Sequence, residues 1–118
     1  MAAHPQVWVK VNAPVDAGVA EIVSMLNSVE GLETLQSCQG DPGEREGYVY
    51  FGMGDWKTAS EFAFERVGPT LKRIADDDAK LTVEATTAEA PIVKLSFRAE
   101  ATGMVVSALK EVLHHERP

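Results

Sequence analysis

Apolar residues in this chain switch between two spacings, every second residue and every third or fourth, and the order of the switches constrains the fold. Val7, Val9 and Val11 alternate with Trp8 and Lys10, as in a strand buried on one side. After Pro14 the spacing changes. Val15, Val19, Ile22, Val23 and Leu26 fall on one stripe of a helix predicted over 15–29, with Gly31 as its left-handed cap. Strands are predicted over 32–37 and 48–52. Asp55 is a helix N-cap, and Trp56, Ala59, Phe62, Ala63 and Val67 form the buried stripe behind it. Gly68-Pro69 should kink or split that helix, because Pro69 cannot donate to the carbonyl of Glu65. Leu71 and Ile74 continue the stripe. Asp76, Asp77 and Asp78 oppose the negative end of the helix dipole and belong in the turn beyond it. Strands over 80–86 and 92–99 follow, joined as a hairpin through 87–91. Thr102 caps a last helix with Met104, Val105, Ala108, Leu109, Val112 and Leu113 inward.

The order is β-α-β-β-α-β, then β-α. It predicts an α+β fold: a ferredoxin-like core extended by a β-α unit, with a mainly antiparallel sheet and helices on one face. The appended strand should pair beside the fourth. A chain of 118 residues is expected to form a single domain, with 1–5 and 114–118 as frayed termini.

Charge narrows the partners. The net charge is −7 and the bases are scattered along the chain. Such a surface repels phosphate backbones, which weighs against nucleic acid and anionic membrane. No apolar run approaches the roughly 18–20 residues that a membrane span needs. The first residues have neither the basic stretch nor the apolar core of a secretion signal. One cysteine cannot form an internal disulfide, which fits a reducing cytoplasm. A cytoplasmic protein is the expectation.

The chain's only cysteine lies in Ser37-Cys38-Gln39-Gly40-Asp41, where a predicted strand runs into a turn. Gly40 permits a left-handed backbone there, so amides and side chains can converge. Ser37 and Gln39 supply neutral donors and acceptors, and Asp41 can accept from a ribose or an amine. Binding of a small polar ligand follows as the leading expectation. A well-bonded turn is the plainer reading. Cys38 has no histidine near it in sequence, since His4, His114 and His115 lie towards the ends, so it reads as a half-buried residue ending a strand. No phosphate-binding loop, dinucleotide fingerprint, paired-cysteine metal motif or nucleophile elbow occurs, and binding is expected rather than catalysis. His114 and His115 are adjacent, so on a helix they point about 100° apart and make no metal pair. Asp76–Asp78 lacks the spacing of a calcium loop. No metal ligand and no cofactor is assigned from the residues.

The stretch from Val15 to Gly40 resembles the N-terminal motif of the wybutosine-synthesis tRNA methyltransferases. Asp16, Asn27, Thr34, Ser37, Cys38 and Gly40 stand in matching positions. That resemblance implies a shared scaffold with a pocket near Asp16 and Ser37–Asp41. It implies S-adenosylmethionine or a nucleotide as the ligand class, and a methyltransferase-like enzyme as an alternative function. Asp41 departs from the family, which carries Arg there.

A second resemblance concerns the sheet. Gly47-Tyr48-Val49-Tyr50-Phe51 and Val7-Trp8-Val9-Lys10 look like the two strand motifs of RNA-recognition domains. In such domains bases stack on exposed aromatics, here Trp8, Tyr48 and Tyr50. Glu46 and Val49 depart from that pattern. The alternative function is therefore binding of single-stranded RNA or protein through an aromatic sheet face. A last alternative is a structural homo-oligomer joined by a sheet edge or face.

Overall fold

The computed structural model describes residues 6–8, 14–85 and 91–114. Its strands are β1 (Gln6–Trp8), β2 (Pro14–Asp16), β3 (Leu32–Cys38), β4 (Gly47–Met53), β5 (Ala79–Ala85) and β6 (Pro91–Phe97). Its helices are α1 (Ala20–Asn27), α2 (Trp56–Ser60), α3 (Gly68–Ala75) and α4 (Thr102–His114). A π-helical segment, Glu61–Val67, joins α2 to α3 without a break. Of the frayed ends expected at 1–5 and 114–118, and of the connection expected at 87–91, only His114, the last residue of α4, and Pro91, the first of β6, are among the described residues.

The α+β class and the antiparallel sheet stand as expected. β3, β4, β6 and β5 form one sheet in that order, and every neighbouring pair is antiparallel. Alternation is strict on β4, where Gly47, Val49, Phe51 and Met53 are buried and Tyr48, Tyr50 and Gly52 are half-buried. Val93, Leu95 and Phe97 of β6 join the same buried side. Ile22, Val23, Leu26, Phe62, Val67, Leu71, Val105 and Leu109 close over them from the helices. Burying alternate residues on one side follows from the two-residue period of a strand.

Strand placement adds what periodicity cannot show. β6 lies between β4 and β5, the central position that a ferredoxin-like order gives to the first strand. The described part of that first strand, β1, pairs with β2 in a separate two-stranded ribbon, with Val7 opposite Val15. Val15 and Asp16 are therefore strand residues rather than the first turn of a helix. A 3-10 turn, Ala17–Val19, leads from them into α1.

Three further differences have local causes. Trp56 and Met104, expected in the core, are 41% and 37% exposed. Each sits in the first turn of its helix, and helical side chains lean back towards the N-terminus, past the packed region. At Gly68-Pro69 helical backbone continues from the π segment into α3. The turn before Pro69 widens, and the N–H of Gly68 donates to the carbonyl of Ala63, five residues back. A Cβ at Gly68 would fall 2.5 Å from that oxygen, so the wide turn needs glycine there.

No helix among the described residues is long and apolar enough to cross a membrane.

Candidate functional site

Two residue sets stand out, one at the end of β3 and one on the helix-free face of the sheet. The first begins with register. β3 pairs regularly with β4 from Leu32 to Thr34, then shifts by one residue before Gln36. That bulge leaves Leu35 unpaired and 53% exposed. Beyond it Ser37 lies opposite the buried Val49, while Cys38 lies opposite Tyr48. Ser37 thus shares the inner face and Cys38 the outer one, and both are half-buried.

Asp16, Gln39, Gly40 and Asp41 come together as the sequence suggests, and they bond to the protein itself. The Asp16 carboxylate, buried at the end of β2, accepts the backbone N–H of Gln39 at 3.2 Å. Gln39 Oε1 accepts the backbone N–H of Gly18 at 2.8 Å. Gly40 is buried with φ +75°, and a Cβ on it would fall 2.5 Å from the backbone N of Gly47. Asp41 takes two guanidinium hydrogen bonds from Arg45 across a tight turn. The bonded Asp41 carboxylate in turn holds the Arg45 guanidinium above its ordinary pKa. One turn further back, the Asn27 side-chain amide donates to Thr34 Oγ1 at 2.8 Å, and Asn27 Oδ1 accepts the Thr34 N–H at 3.1 Å. The spacing from Asp16 to Gly40 therefore corresponds to a set of bonds that tie α1 and β2 to β3. Neighbouring loop residues line a separate cleft of about 200 Å³ between Gly43–Glu46 and Arg98–Glu100.

The second set lies on the opposite face from the helices. Register places its side chains in three rows across the four strands. Cys38, Tyr48, Ser96 and Lys80 form the first row. Gln36, Tyr50, Lys94 and Thr82 form the second, and Glu33, Gly52, Ile92 and Glu84 the third. The Tyr48 and Tyr50 rings meet edge to face with centroids 5.4 Å apart. The ammonium of Lys94 stands 5.7 Å from the Tyr48 ring and 5.4 Å from the Tyr50 ring. Such a cation is attracted to the ring faces and holds them in place. A cleft of about 360 Å³ runs across all four strands beside them, lined by Leu35, Gln36, Tyr50, Glu84 and Ile92.

The aromatic pair expected from the sequence is thus brought together, half-buried, on a face that no helix among the described residues covers. Trp8 lies on β1, and its side chain falls outside the described residues. Lys94 and Ile92 were missed. Alternation along β6 puts both on the outer side, but nothing local shows that β6 neighbours β4. Among the described residues no cluster of three or more histidine, cysteine or acidic side chains is placed to hold a metal ion.

Comparison with protein-family models, with curated proteins and with solved structures gives no match.

Proposed function

We propose that this chain is a binding module whose working surface is the helix-free sheet face centred on Tyr48, Tyr50 and Lys94. The observation that carries the reading is the tyrosine pair bracketed by a lysine beside an open cleft that spans the sheet. Tyrosine offers large contact area with few rotatable bonds, and such anchors dominate protein recognition. Leu35 and Ile92 add apolar contact at the cleft. The occupant is a protein segment rather than RNA. Lys80 and Lys94 on this face are balanced by Glu33 and Glu84, and the chain as a whole carries −7, so no basic track follows a phosphate backbone. The segment that fits presents apolar side chains to the cleft and an acidic group to Lys94.

A displayed peptide library panned on the purified chain tests this. Peptides that lose binding to a Tyr48→Ala, Tyr50→Ala, Lys94→Ala triple variant, shown folded by circular dichroism, support the face. Peptides that bind both proteins equally, or single-stranded RNA that binds only the wild type, would sink the protein reading.

A small polar ligand near Asp16 and Ser37–Asp41, of nucleotide or S-adenosylmethionine type, is the second reading. The convergence of those residues favours it. The internal bonding of Asp16, Gln39 and Asp41 places it behind the sheet face. A thermal shift with such a ligand that is lost in Cys38→Ser would reverse that ranking.

A further inference from the structure

We infer that β5 is a self-complementary edge, through which two copies of this chain join in one continuous eight-stranded sheet. Four strands leave two edges, β3 and β5. The β3 edge is irregular, because the bulge at Leu35 breaks its register. β5 runs seven residues beside β6 without a shift, from Ala79 opposite Phe97 to Ala85 opposite Pro91. Among the described residues no strand pairs with its other side. A long, regular, open edge is a template for another strand.

The backbone groups facing outward on β5 are identifiable. Arg98 N–H donates to the Asp78 carbonyl at 2.8 Å, which makes Asp78 and Arg98 a bonded pair of the β5–β6 ladder. Bonded and non-bonded pairs alternate in an antiparallel ladder. Lys80, Thr82 and Glu84 therefore spend their N–H and C=O groups on β6. Leu81 and Val83 direct theirs to the open side. Pro91 agrees with this phase, since its partner Ala85 falls at a non-bonded position where no N–H is required.

The side chains then specify the partner. β5 reads Ala-Lys-Leu-Thr-Val-Glu-Ala, which is chemically symmetric about Thr82. A two-fold axis through Thr82 sets two copies of β5 antiparallel. Lys80 of each then stands opposite Glu84 of the other, Leu81 opposite Val83, and Thr82 opposite Thr82. Lys80, Thr82 and Glu84 share the helix-free face, and Leu81 and Val83 the helix face. Opposite charges meet on one side and partly buried aliphatics on the other. Leu81 and Val83 supply the four central hydrogen bonds from the groups already aimed outward. A lysine on an edge ordinarily discourages pairing. Here every lysine meets a glutamate, and the arrangement is isologous and closes at two copies.

Sedimentation equilibrium of the full chain over a range of concentrations tests the inference. The wild type is expected to dimerise. Lys80→Glu and Glu84→Lys should each raise the dimer dissociation constant about tenfold or more, since either change turns two attractive pairs into two repulsive ones. The double reversal, K80E with E84K, restores both pairs and should bring the dimer back. Val83→Pro removes an outward N–H while leaving the ladder to β6 intact, and should give a folded monomer. A wild type that stays monomeric overturns the inference. So does a dimer indifferent to the single reversals, or a double reversal no better than either single one. The binding reading of the sheet face is separable through Lys80→Glu and Val83→Pro, which leave Tyr48, Tyr50, Lys94 and every residue lining the cleft unchanged, whereas Glu84→Lys alters the cleft lining.

Discussion

Asn27 and Thr34 are joined twice, side-chain amide to hydroxyl and backbone N–H to amide oxygen, across the turn from α1 to β3. That pair fixes the angle at which α1 lies on the sheet edge. Asn27→Ala removes both bonds. With each partly buried bond contributing about 1 kcal/mol, the loss should be about 1–2 kcal/mol in urea unfolding. A cycle with Thr34→Ala should show the two changes to be strongly non-additive. Additive effects would mean that the two residues act independently.

Two glycines should respond to alanine in opposite directions. Gly40 has φ +75° and backbone atoms where its Cβ would sit. Left-handed strain and the clash together predict a loss of about 2–4 kcal/mol. Gly103 lies exposed in α4 with open space around it. There alanine should stabilise by about 0.5–1 kcal/mol, the ordinary difference in helix propensity. Thermal unfolding of both variants checks the pair, and equal shifts would contradict the geometry at Gly40.

Phe51 of β4 and Phe62 of the π segment meet edge to face, with centroids 5.8 Å apart and planes at 86°. Both are fully buried. Phe62→Ala should cost about 3–5 kcal/mol, as large aromatic truncations in cores do. A double-mutant cycle with Phe51→Leu should leave about 0.5–1.5 kcal/mol of coupling beyond area burial.

Acid should weaken the cap on α2. Asp55 accepts the Thr58 N–H at 2.8 Å, and that bond holds its carboxyl below the ordinary value of 3.8. A group whose pKa is depressed by folding contributes fully above its unfolded value. The contribution disappears as pH falls through the lower, folded one. Asp55→Asn keeps an acceptor but cannot titrate. Its unfolding midpoint should converge on that of the wild type as the solution is acidified below that range. A gap that stays constant with pH would show that the charge on Asp55 plays no part.

The strands of the main sheet were legible because alternation is strict where one face is buried. β4 alternates tyrosine and glycine with Val49, Phe51 and Met53, and no helical reading fits that pattern. The stretch from Val15 to Val19 was not legible. Its valines fit a helical stripe as well as a strand, and five residues are too few to separate the two periods. What decides it is distant in sequence: the pairing of Val15 with Val7, and the bond from Asp16 to Gln39. The residues near Ser37–Asp41 were visible as a cluster because turn chemistry is local. Their engagement with Asp16 and Gly18 was not, since it rests on tertiary contacts. Tyr48 and Tyr50 were visible for the same local reason. Lys94 entered the picture only once β6 was placed beside β4.

The wide turn at Glu61–Val67 has a consequence for how this chain tolerates change in length. A π turn holds one residue more than an α-helix needs to connect the same two ends. Phe64, within that segment, is 54% exposed, so its removal opens no cavity in the core. Deleting it should let the turn narrow towards an α-helix while α2 and α3 keep the faces they now present to the sheet, at the cost of setting Pro69 against the carbonyl of Glu65. A one-residue deletion in the middle of a helix ordinarily rotates everything beyond it by more than a quarter turn. In this helix the same deletion keeps both faces in register, and what it has to accommodate is the proline.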